Sequence, residues 1–308
     1  MRDFMEFAEK EAGILVRKLL GVGHTALVSK GSGAKDLVHT GADIATVGDE
    51  VVGDAVIEAL RKEERRFAVY TEEKGKIDVP EGEYTVIIDD IDGTLNFKTG
   101  RGMMPHGTVI GVFEGTLPRF EDCIAAGFLE FNSGNLFYAE RGRGSFIVTG
   151  FTNGNTEEER IRTSERKRIE GDFPLKISYD MVALGTLGPE IVQSMGTFQW
   201  PYDARSKALH IAQIAAGDAD ALVTADNVYG GRKRIGPEEI GPLYLLVKEA
   251  GGHVTRWDGK DIGEERIIFT PGKTPDVIVS ATRSLCQDIS KRLYELQEVS
   301  EYLRSKNI

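Results

Sequence analysis

The spacing of apolar positions changes along the chain. Phe4, Phe7, Ala8, Ile14 and Leu15 recur at helical intervals, interrupted only by Glu11, which predicts an amphipathic helix over residues 3–20. Residues 22–42 are rich in Gly, Ser and Thr and predict a loop or short hairpin. Ile44, Val47, Val51, Ala55 and the run from Ile57 to Leu60 mark a second helix, closed by the charged stretch Arg61–Arg66. Short apolar segments of strand length follow: Phe67–Tyr70, Val86–Ile88, Thr108–Phe113, Cys123–Phe131, Leu136–Glu140 and Ser145–Val148, the last reached through the turn Arg141-Gly142-Arg143-Gly144. Two helices followed by a run of strands is an α+β pattern.

Residues 150–160 are polar and rich in Gly and Asn, and they predict a boundary between a sub-domain over 1–150 and another over 151–308. Beyond it strands and helices alternate: strand Lys176–Tyr179, helix Arg205–Ala216, strand Ala221–Thr224, helix Pro242–Ala250, and strands at Val254 and Val277–Ala281. A last helix over 284–306 places Leu285, Ile289, Leu293, Leu296, Val299 and Leu303 on one face, expected to pack on the chain's own sheet rather than in a coiled coil. The whole reads as α/β with an α+β first half.

Composition narrows the function. With 308 residues, 41% hydrophobic and 28% charged, the chain has the make-up of a globular protein with two sub-domains or one large unit. A formal net charge of -11 disfavours nucleic acid and anionic membrane as partners, and it would also repel a phosphorylated substrate unless bound cations reverse the local field. Cys123 and Cys286 supply neither a disulfide framework nor zinc-ligand spacing, and the charged start MRDFMEFAEKEAG lacks an apolar signal core. No apolar run approaches the roughly 20 residues that span a membrane. A cytoplasmic location is therefore expected.

The strongest chemical signal is Ile87-Ile88-Asp89-Asp90-Ile91-Asp92-Gly93-Thr94. Carboxylates gathered at the end of an apolar strand suit hard divalent cations such as Mg²⁺. Gly93 permits close backbone approach, and a helix starting near Thr94 would offer free N–H groups to phosphate. An acidic turn that merely ends a strand would leave three acids repelling one another directly after three buried aliphatics. A calcium loop fails, because Ile88 would occupy its first ligand position. The five histidines show no ligand spacing, and Gly21, Gly23, Gly31 and Gly33 form no dinucleotide fingerprint.

Two phosphatase families share this string. Asp90-Ile91-Asp92-Gly93-Thr94 resembles the haloacid dehalogenase motif, in which the first Asp, here Asp90, would be the nucleophile. Asp89-Asp90-Ile91-Asp92-Gly93-Thr94 also resembles the motif of the inositol monophosphatase family, with Asp90 where proline is usual. The surroundings favour the second. Thr71-Glu72-Glu73-Lys74-Gly75, Lys35-Asp36-Leu37-Val38 with Asp43, and Ala139–Ser145 are similar to stretches of that family in its first half. Arg205-Ser206-Lys207-Ala208-Leu209 with Ala215–Ala221, and Leu245–Gly252, are similar to its second half.

The resemblance implies the layered αβαβα sandwich of the inositol monophosphatase and fructose-bisphosphatase superfamily. It implies a lithium-sensitive sugar phosphatase that carries two or three Mg²⁺ per site and hydrolyses a small phosphorylated metabolite by direct attack of a metal-activated water, as a homodimer. Glu72, Asp89 and the Ile91 carbonyl would hold one ion, and Asp89, Asp92 and Glu239 another. Glu239 stands where the family usually has Asp. Thr94 and Asp43 would orient the water, although the Asp43 stretch is one residue longer than usual. Gly93 and Thr94 would bind phosphate, with Arg205, Ser206 and Lys207 beside the substrate. Arg205 and Lys207 replace small residues, and a basic pair at the positive end of a helix suggests a compensating anion, for instance a second acidic group on the substrate. Arg232-Lys233-Arg234 is expected in a surface loop. The alternatives are a dehalogenase-type phosphatase and a non-catalytic member that binds a ligand or partner.

Overall fold

A computed structural model of the chain describes residues 7, 11–40, 44–77, 82–100, 103–179, 192–196, 199–202, 204–225, 236–269, 274–295 and 301. Helix α1 (Ala12–Lys30) leads through a short 3-10 turn to a hairpin of β1 (Leu37–Thr40) and β2 (Ile44–Thr46), and then to α2 (Val47–Arg61). Strands β3 (Phe67–Thr71), β4 (Gly75–Ile77) and β5 (Tyr84–Asp92) follow, then the short helix α3 (Thr94–Thr99). The antiparallel strands β6 (Gly107–Glu114), β7 (Cys123–Glu130), β8 (Asn135–Glu140), β9 (Gly144–Thr149) and β10 (Glu157–Ile161) complete an eight-stranded sheet of order β10-β9-β8-β7-β6-β5-β3-β4. β5 is central to the site. It pairs in parallel with β3 and antiparallel with β6, and all of it is buried.

The second half supplies β11 (Leu175–Tyr179), β12 (Gln199–Tyr202), α4 (Lys207–Ala215), β13 (Ala221–Val223), α5 (Pro237–Glu249), β14 (His253–Arg256), β15 (Val277–Ser280) and α6 (Arg283–Glu295). Its strands form a sheet of order β12-β11-β13-β15-β14.

The two faces of each sheet assign the layers, because successive strand residues point to opposite sides. On β5, Val86 and Ile88 pack with Leu15, Leu19, Val52 and Val56 of α1 and α2. Ile87, between them, packs the other way, with Ile240 and Leu243 of α5. Helices α4 and α5 fill the space between the sheets, where Ile211 and Leu246 meet Val109 and Phe128 of the first and Leu222 and Val279 of the second. Leu285, Ile289 and Leu293 of α6 cover the far face with Ile177, Val223 and Ile278. Helices, sheet, helices, sheet and helix stack in that order, which is the layered αβαβα sandwich expected, with α6 on its own sheet.

Several elements differ from the expectation. Residues 22–30 are helix rather than loop, because Gly23 serves close packing: a Cβ there would lie 3.1 Å from Val52 Cγ1. By length and composition α1 is long and apolar enough to cross a membrane, but Leu15, Val16, Leu19 and Leu20 are buried with Ile110 and Ile124 of the first sheet. The polar stretch after position 150 is the turn between β9 and β10, so the first sheet runs on to Ile161. Pro242 does not begin its helix. Pro237 does, and Pro242 lies inside, its ring 2.8 Å from where a Cβ on Gly111 would stand. Asp43, Arg232-Lys233-Arg234, Leu296, Val299 and Leu303 lie outside the described residues. Both cysteines are buried and unpaired.

Candidate active site

The site is built at the C-terminal end of β5. In a regular strand Asp89 and Asp92, three residues apart, would face opposite sides of the sheet. The pairing with β6 slips between them, Asp89 opposing Val109 and Asp92 opposing Gly107, so one extra residue is accommodated as a bulge. The bulge returns Asp92 to the side of Asp89. There the first turn of α5 delivers Glu239, and one carboxylate oxygen from each of the three lies within 4.8 Å of the others. Glu72 follows β3, its N–H donating to the Ile88 carbonyl at 3.1 Å, and its carboxylate adds to the negative field on Asp89.

This concentration of charge disfavours ionisation of Asp89. Asp89 is 1% exposed and its Oδ1 has no hydrogen-bond partner. Burial, and then the carboxylates of Glu72, Asp92, Glu239 and Glu238, hold its carboxyl well above the usual aspartate range. Asp92 is held by the hydroxyl of Ser206, which also accepts from Leu209 N at 3.2 Å as the N-cap of α4. Glu239 Oε2 accepts the N–H of Gly236 at 2.8 Å and lies 3.7 Å from Lys207 Nζ. One anion beside Lys207 at its helix start is thus a residue of the chain itself.

Asp90 points the other way. A Cβ on Gly53 of α2 would lie 2.5 Å from Asp90 Oδ1, so its carboxyl is buried against that helix. Burial, and then Asp49, raise its pKa, opposed by the N–H of Glu73 at 3.4 Å. A nucleophilic Asp90 would be on the wrong face of the sheet, which disfavours the dehalogenase reading.

Gly93, at φ 79°, makes the turn out of β5; a Cβ there would stand 2.9 Å from the Pro105 carbonyl. Helix α3 then starts at Thr94, as its sequence suggests. Thr94 Oγ1 donates to the Ile91 carbonyl at 2.9 Å and lies 3.5 Å from Asp49 Oδ1. That carbonyl keeps a second lone pair. Asp49 is itself fixed, its Oδ2 accepting from Thr46 N and Thr46 Oγ1, each at 2.7 Å, in a capping box at the start of α2. Asn96 fastens this turn to the second half, donating to the carbonyls of Pro105 at 2.7 Å and Ala204 at 2.8 Å. His210 Nε2 accepts from Ala204 N at 2.7 Å, which leaves Nδ1 to donate to Ser178 Oγ at 2.7 Å.

The model of the inositol monophosphatase family matches residues 2–298. The chain belongs to this family. Among curated relatives, it is 28% identical to the fructose-1,6-bisphosphatase/inositol-1-monophosphatase of Thermotoga maritima, over 93% of this chain and 98% of that protein. It is 26% identical to the protein of the same description from Thermococcus kodakarensis, over 92% and 94%. The inositol monophosphatase of Anabaena shares the fold, with a TM-score of 0.68 at 18% identity over 97% of this chain and 99% of that one. Members of the inositol monophosphatase family are metal-dependent phosphatases, and the chain is a phosphoric monoester hydrolase by class.

Of the residues singled out from sequence, Asp89, Asp92 and Glu239 come together, Glu72 adjoins them, and Gly93, Thr94 and the Ile91 carbonyl form the adjacent turn. Ser206 and Lys207 each reach one of the cluster's carboxylates. Arg205 is exposed, in the left-handed region at φ 52°. Sequence reasoning missed Asp49, Asn96 and His210. For Asp49 a signal existed, because Thr46-Val47-Gly48-Asp49 before an apolar run has the form of a helix capping box.

Proposed function

We propose that this protein is a Mg²⁺-dependent phosphatase of a small phosphorylated metabolite, either inositol monophosphate or a sugar phosphate such as fructose 1,6-bisphosphate. The observation that carries the reading is the buried, unpartnered Asp89 Oδ1 within a set of carboxylates whose donors are all oxygen. Without a cation these groups repel one another, and oxygen donors fit Mg²⁺. Glu72, Asp89 and the Ile91 carbonyl would hold one ion, and Asp89, Asp92 and Glu239 a second. Bound there, Mg²⁺ would offset the charge of the phosphate and of the leaving alkoxide and would activate water for attack at phosphorus.

The chain's own residues do the rest. The N–H groups at the start of α3 have no partners within the helix, and Gly93 lets the backbone approach phosphate oxygens there. Thr94 Oγ1 would accept a hydrogen bond from the attacking water; as it takes the water's proton, its own hydroxyl proton turns from the Ile91 carbonyl and passes to Asp49 Oδ1. Ser206 keeps Asp92 in position. No covalent phosphoenzyme forms. The two halves, meeting at this site, act as one enzyme, placed in the cytoplasm as a homodimer.

The test is phosphate release from a panel of phosphorylated metabolites after chelation and after return of Mg²⁺. Turnover should vanish with the chelator and recover with the metal, and Glu72→Gln should lower it by more than roughly 100-fold. Full turnover in the chelated protein would overturn the reading.

A further inference from the structure

Two neighbouring residues at the start of α4 touch two of the three clustered carboxylates. Ser206 donates to Asp92, and the Lys207 ammonium faces Glu239 at 3.7 Å. The side chains of Lys207 and Glu239 are each 14% exposed, so solvent screens the pair only in part. Lysine is poorly placed at the N-terminus of a helix, whose dipole repels it, and Glu239 offsets part of that repulsion. Glu239 would therefore serve two positive charges once a cation is bound. One is a side chain of the protein that is always at hand, and the other is whatever divalent cation the cluster takes.

We propose that Lys207 is a resident cation which competes with the divalent ion for Glu239 and so sets a weaker metal affinity at that corner of the cluster than at the Glu72–Asp89 corner. This rests on the metal reading above and specifies its regulation. A divalent ion at the Glu239 corner must displace the ammonium from the carboxylate or bind in its repulsive field. An ion held by Glu72, Asp89 and the Ile91 carbonyl would not draw on Glu239, the carboxylate that faces the ammonium. Occupancy of the Glu239 corner, and with it full assembly of the site, then follows the free concentration of divalent metal.

The experiment is a titration with Mn²⁺, followed by the electron paramagnetic resonance signal of the free ion, on the full chain without substrate. Lys207→Met removes the charge and keeps the aliphatic stem. It should tighten the weaker class of Mn²⁺ sites by about tenfold, while Lys207→Arg, which keeps the charge, should match the parent. In a Glu239→Gln background the effect of Lys207→Met should fall well below tenfold, because the carboxylate competed for is gone and only the field of the ammonium remains; an undiminished tenfold effect there overturns the competition. If Lys207→Met does not fold, as judged by circular dichroism, Lys207→Gln replaces it in the same cycle. Unchanged or weakened Mn²⁺ affinity in a folded, charge-free variant overturns the role of Lys207 and leaves the metal reading standing. Absence of Mn²⁺ binding in the parent overturns both.

Discussion

Replacing Asp89 with Asn should make the metal-free protein more stable and the enzyme inactive. In the chelated state Asp89 is buried, has one oxygen without a partner, and lies in the field of Glu72, Asp92 and Glu239. An unsatisfied buried polar atom costs about 1–3 kcal/mol. An asparagine amide can donate to the neighbouring carboxylates, so Asp89→Asn should recover about that amount, or roughly 2–4 °C of melting temperature per kcal/mol. The gain depends on pH. Because the folded-state pKa of Asp89 is raised, its contribution to stability is fully present below the unfolded value of about 3.9 and is lost as pH rises through the folded value. The variant's advantage should thus be absent in acid and open by at most about 1.4 kcal/mol per pH unit across that window. Mg²⁺ reverses the order, because an ion at 100 times its dissociation constant stabilises the parent by about 2.7 kcal/mol and has lost a ligand in the variant. Thermal melts of both proteins with chelator and with Mg²⁺, at several pH values, read all of this. A chelated variant that melts below the parent at neutral pH would refute the account of Asp89 as a charge waiting for a cation.

Two further substitutions separate the faces of β5. Asp90→Asn should keep much of the parent's turnover, because Asp90 faces α2, and transfer from a phosphate ester chiral at phosphorus should invert; retention, or an aspartyl phosphate trapped at Asp90, would contradict this. Ser206→Ala removes both the cap of α4 and the hydroxyl on Asp92, and should cost about 1–3 kcal/mol as a lower urea midpoint at unchanged slope. An unchanged midpoint would show that neither bond supports the fold.

The sequence made the layers legible because each layer depends on local periodicity. β5, β6 and β7 read as strands from their apolar runs, and α6 from its single apolar face. What was hidden depends on contacts between distant residues. Gly23 looked like a chain break, yet it is where two helices come close. Pro242 looked like a helix start, yet Gly111 on a neighbouring strand leaves room for its ring. The string Asp89-Asp90-Ile91-Asp92 announced the chemistry without saying which acids act together. That is decided by a bulge, which appears only when β6 is laid alongside. Asp49 was passed over because spacing along the chain does not report that its carboxylate reaches Thr94.

The bonds from Asn96 to Ala204 and from Ser206 to Asp92 span 108 and 114 positions of the chain. Such pairings are slow to form, since a long loop must close before they repay its lost freedom. At a synthesis rate of roughly 5–20 residues per second, the strand bearing Asp89 and Asp92 leaves the ribosome many seconds before Glu239 and Ser206 do. Until those residues arrive, Asp92 lacks its Ser206 hydroxyl and the carboxylate cluster lacks Glu239, so hydrolytic competence waits on synthesis of the second half of the chain.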